Sequence, residues 1–88
     1  MSNQDIWGPP EGWIITVRAE PLGGGPRALE VWGAWTQDEM AGLDLIREAR
    51  VVDEVIETRL VSAETRAGMN VPPEEIRRIG ALPKEALP

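Results

Sequence analysis

From Thr36 to Ala67 the chain contains no proline and one glycine, Gly42, and no other stretch is so free of structural punctuation. A long helix requires such a run, because proline removes a backbone donor and glycine costs about 1 kcal/mol in a helix interior. The ends carry matching signals. Thr36-Gln37-Asp38-Glu39 fits a capping box, with Trp35 and Met40 placed for a hydrophobic staple. Gly68 suits the left-handed position past the last turn, and Arg66 suits the negative end of the dipole. The sequence therefore predicts one α-helix over about 37–67, roughly 45–50 Å long.

Along that span Ala41, Leu45, Ala49, Val52, Ile56, Leu60, Ala63 and Ala67 recur with an eleven-residue period, a nearly straight apolar stripe. A second set, Met40, Val51 and Val55, with Leu43 and Val61 beside it, lies off the stripe. An ordinary surface helix needs only one apolar face. Two predict burial on two sides, one under a hairpin and the other under a partner or the chain's own tail.

The remaining segments complete an α+β reading. Trp13–Ala19 and Ala28–Trp35 alternate between apolar and polar residues, and a glycine- and proline-rich loop separates them. This predicts an antiparallel β-hairpin over about 13–19 and 28–35. Trp13 and Trp35 are expected on its packed face, with Ile14 and Trp32 on the other. Residues 1–12 read as an extended arm carrying Ile6 and Trp7, since Gly8-Pro9-Pro10 favours polyproline chemistry. Pro73 at a first helical turn, Arg77 and Arg78 at the last, and Gly80 as a stop predict a short helix over about 73–79. A Pro-containing tail, 81–88, follows, and the whole chain, 1–88, reads as a single small domain.

Composition limits the function classes. The chain has no cysteine, histidine or tyrosine, so disulfides, thiolate zinc sites and the commonest general base are absent. The remaining Ser, Lys and carboxylate side chains form no catalytic motif, and neither catalytic nor metal-ligating residues are assigned. No cofactor and no small-molecule substrate are expected. Fifteen acids against nine bases give a formal charge of −6, which disfavours nucleic acid and anionic membranes as direct partners. No apolar run reaches the length of a membrane span, and Met1–Asp5 lacks a basic leader. The expected location is the cytoplasm, or an assembly formed there.

A chain this short buries only roughly 60–65% of its unfolded surface, and support from a partner is a common remedy. The expected function is a non-enzymatic protein-interaction module, an accessory or assembly subunit of a larger complex such as a virion or an enzyme complex. It would dock through the long helix and terminal arms, with a protein partner or a second copy of itself. Trp7, Trp32, Ile14, Val51 and Val55 are the candidate apolar contacts, and Asp53 and Glu57 are candidates for docking a basic partner. The alternative is an acidic inhibitor or nucleic-acid mimic that blocks a basic surface.

Overall fold

Alternation of Trp13, Ile15, Val17 and Ala19 with polar or smaller neighbours produces strand β1, Gly12–Pro21, and the matching run produces β2, Ala28–Trp35. They pair antiparallel as the expected hairpin in the computed structural model, which describes residues 11–83, with side chains through residue 80. Residues 1–10 of the expected arm, with Ile6 and Trp7, and 84–88 of the expected tail lie outside the described residues.

The hairpin register differs from the expectation. Trp13 faces Ala34, Ile15 faces Trp32 and Val17 faces Glu30 across the pair. Residues directly opposite share a face, so Trp32 lies with Ile15 on the packed side and Trp35 lies on the other. A slip of one residue exchanges the faces of a whole strand, and the long loop between β1 and β2 does not fix the register.

The single helix over 37–67 is not formed. That span divides into α1 (Glu39–Ala49), β3 (Arg50–Val61) and the start of α2 (Ala63–Met69). Two physical causes act together. Val51, Val52, Val55, Ile56, Thr58 and Val61 are β-branched, which favours a pleated strand over a helix. The outer edge of β1 also presents backbone N–H and C=O groups that require partners, and β3 pairs with it antiparallel. The change comes without glycine or proline, at Arg50, which is extended at φ −143° and ψ 154° while its N–H still donates to the Ile46 carbonyl.

The caps move accordingly. Asp38, not Thr36, caps α1 by accepting from the Ala41 amide at 2.9 Å, and Met40 is exposed rather than stapled. Ser62 caps α2 by accepting from the Thr65 amide, and Asn70 rather than Gly68 adopts the left-handed conformation after it.

The helix expected over 73–79 is likewise replaced. Residues Glu75–Pro83 form β4, antiparallel to β2 on the edge away from β1. Glu74, at φ 63°, turns the chain, and its N–H donates to the Trp35 carbonyl at 2.7 Å. The result is a four-stranded antiparallel sheet in the order β3-β1-β2-β4.

The two helices cover opposite faces of this sheet. Leu43 and Ile46 of α1 complete a core with Ile15, Val17, Ala19, Trp32 and Ala34. Each large aliphatic side chain buried there contributes about 1.5–3 kcal/mol. The helix sits close because Gly42 has no Cβ; one would lie 3.0 Å from both Ala34 Cβ and Ile15 Cδ1. On the reverse face, a Cβ at Gly33 would lie 2.8 Å from Met69 Sδ of α2. Beside it, the Arg66 guanidinium stacks 3.6 Å from the centre of the Trp35 ring.

One charge enters the core. Glu30 is 2% exposed, and its Oε1 accepts from Trp32 Nε1 and from Arg50 Nε, both at 3.1 Å. Its Oε2 accepts from Arg50 Nε at 3.1 Å and from Arg78 Nη1 at 3.5 Å. Arg50 also stacks over the Trp32 ring, 5.2 Å from its centre.

Three stability measurements check this packing. Gly42→Val should lower the free energy of urea unfolding by about 1–3 kcal/mol, because the gain in helix propensity over glycine is smaller than the cost of overpacking. Arg50→Leu should cost about 3 kcal/mol by leaving the Glu30 carboxylate largely uncompensated. Arg78→Leu should cost under about 1 kcal/mol, since its side chain is half exposed and its contact is long. Equal losses for Arg50→Leu and Arg78→Leu would contradict the assignment of Arg50 as the main counter-charge.

Candidate functional site

β3 forms one edge of the sheet, and no strand among the described residues pairs with its outer side. Its pairing with β1 has two irregularities, where Asp53 and Ile56 are extra residues without a partner on β1. Glu57–Val61 then runs in regular register against Thr16–Gly12. Val55, Thr58 and Leu60 face the α1 side, opposite Val17, Ile15 and Trp13. Val51, Glu54, Glu57 and Arg59 face the reverse side, opposite Glu20, Arg18, Thr16 and Ile14.

The strand mixes exposed apolar side chains with its charged ones. Leu60 is 56% exposed and Ile56 42%, with Val51 and Val55 also exposed. Met40, at the first turn of α1, adds another exposed apolar side chain on the side of the sheet that Val55 and Leu60 face. Thr58 Oγ1 donates to Glu39 Oε2 at 3.3 Å, which holds that turn of α1 over β3.

The acids of β3 differ in their partners. Asp53 accepts from Arg27 Nε at 2.5 Å, and Arg27 also pairs with Glu20 at 3.0 Å. The hydrogen bond to Asp53, then the charges of Asp53 and Glu20, hold the Arg27 pKa above its ordinary value. Glu54 is bound by Arg18. Glu57 and Arg59 enter no ion pair among the described residues.

The structure thus brings four of the sequence-derived candidates together: Val51, Asp53, Val55 and Glu57 all lie on β3. Ile14 is half-buried on neighbouring β1, on the reverse face. Trp32 stands apart, 6% exposed in the core and bonded to Glu30, and Trp7 is outside the described residues. Leu60, Ile56 and Arg59 join the margin only when 50–61 is a strand. The density of β-branched residues there was the available signal.

A second feature is an open cleft of about 470 Å³ lined by Thr36, Gln37, Ala41, Asp44, Leu45 and Glu74. It presents carboxylate, amide and hydroxyl groups without a base–nucleophile pair. Among the described residues, no group of three or more His, Cys, Asp or Glu side chains is arranged to hold a metal ion. No helix among them is long and apolar enough to cross a membrane. Comparison with protein-family models, with curated proteins and with solved structures gives no match.

The margin can be altered without disturbing the core. Leu60→Lys should leave the free energy of urea unfolding within about 1 kcal/mol of wild type, because more than half of the side chain is exposed. A larger loss would show that Leu60 supports the fold rather than a surface.

Proposed function

We propose that the chain is a non-catalytic protein-interaction module that docks through the β3 margin, serving as an accessory or assembly subunit of a larger complex. The observation that carries the reading is an open strand edge flanked by exposed Val51, Val55, Ile56 and Leu60. An added strand would satisfy the outward backbone groups of β3 while its side chains cover this apolar surface. Soluble proteins blunt such edges with charges and bulges; the bulges of β3 lie in its first part, which leaves Glu57–Val61 as the regular stretch open to pairing. The cysteine-free composition fits a cytoplasmic location or an assembly formed there.

The acidic-mimic alternative draws less support. Arg27 and Arg18 already hold Asp53 and Glu54, leaving Glu57 as the acid of the strand with no ion pair among the described residues. A basic target would have to displace those internal pairs.

The test is affinity capture from the native host with tagged wild type, Leu60→Lys, and Leu22→Lys as a control on the exposed hairpin loop. Wild type and Leu22→Lys should retain the same protein partner, which includes untagged copies of the chain. Leu60→Lys should recover about tenfold less, a loss of roughly 1.4 kcal/mol in binding. Recovery indifferent to Leu60→Lys would overturn docking through this margin.

A further inference from the structure

Resting on the reading of β3 as a docking margin, we infer that its occupant is β3 of a second copy, paired antiparallel about a two-fold axis at Thr58. An antiparallel pair of identical strands is related by an axis perpendicular to the sheet. One residue then lies opposite its own copy, and residues equally distant on either side lie opposite one another. The choice of centre can be decided from charge and regularity.

The first half of β3 is unsuited to the role. It carries the irregularities at Asp53 and Ile56, and its acids Asp53 and Glu54 are held by Arg27 and Arg18. The regular stretch is Glu57–Val61. A centre at Glu57 would set two carboxylates side by side, and one at Arg59 would set two guanidinium groups side by side. A centre at Leu60 runs past the end of the strand after a single further pair. A centre at Thr58 places Glu57 opposite Arg59 of the copy, twice by symmetry, and these are the ionic side chains of the strand that lack partners among the described residues. The same register sets Ile56 beside Leu60 of the copy.

The faces agree with this register. Glu57 and Arg59 both lie on the reverse side, so their ion pairs form there. Thr58 and Leu60 lie on the α1 side, so the central Thr58 pair forms on that side. The axis keeps both copies of α1 on one face, and the Thr58–Glu39 bond sets the first turn of each, with exposed Met40, beside the seam. It also draws the two Glu39 carboxylates towards the axis, a repulsion that Glu39→Gln relieves.

The experiment is sedimentation equilibrium of the full chain over a wide concentration range. Wild type is expected to be a dimer, tightened by Glu39→Gln. Glu57→Arg and Arg59→Glu should each weaken it by about tenfold or more, because each replaces two attractive cross-strand pairs by two repulsive ones. The double variant Glu57→Arg/Arg59→Glu should restore it, with circular dichroism and urea unfolding confirming that every variant is folded. As the native chain has no cysteine, Thr58→Cys should oxidise to a disulfide-linked dimer and Leu22→Cys should not. A monomeric wild type overturns self-pairing alone if Leu60→Lys still abolishes capture of a different protein. A dimer indifferent to the charge reversals, the charge swap and Leu60→Lys overturns both the self-pairing and the β3 reading.

Discussion

The arrangement of the chain depends on how it accommodates one buried carboxylate. Glu30 lies on a central strand, facing the core beside Trp32, where an unpaired charge would cost several kcal/mol. Its main counter-charge is Arg50, which is at once the C-terminal cap of α1 and the first residue of β3. The ion pair therefore acts at the point where helix becomes strand. It positions the start of one edge strand relative to β2, while Arg78 makes a weaker link from the other edge. Trp32 serves twice, giving its indole N–H to the carboxylate and its ring face to the guanidinium.

The limits of α1 follow from the same geometry. Its apolar residues Leu43 and Ile46 lie over the central strands, and Gly42 allows the helix backbone close to Ala34 and Ile15. Had the helix continued to Ala67, Arg50 would not have entered β3, and the outer edge of β1 would have kept its backbone groups unpaired. Ion pairs from Arg18 to Glu54 and Arg27 to Asp53 secure the first half of β3 to the hairpin without adding to the core.

The sequence made the hairpin legible because alternation over two runs and a turn-rich loop are local signals. The rest of the sheet depended on pairings distant along the chain. Helical periodicity and strand content coexist over 50–61, and absent punctuation favoured the helix, although Val51, Val52, Val55 and Ile56 argued for a strand. Ser62 was readable as a cap only once a helix was known to begin there. The placement of the tryptophans turned on a register that the long loop left open, so Trp32 went to the core and Trp35 under Arg66. Val51, Asp53, Val55 and Glu57 were chosen as surface residues of a helix, and the fold instead aligned them along one strand edge. The burial of Glu30 left no local trace beyond an acid alternating with apolar neighbours.

The irregularities of the outer strands bear on how far any strand pairing can extend. β3 is interrupted at Asp53 and Ile56, and β4 has a register shift at Ile79 beside Arg77 and Arg78. Neither margin offers a long flat ladder on which further chains could stack in series. Extra residues local to each edge oppose extension of this sheet by further strands in series.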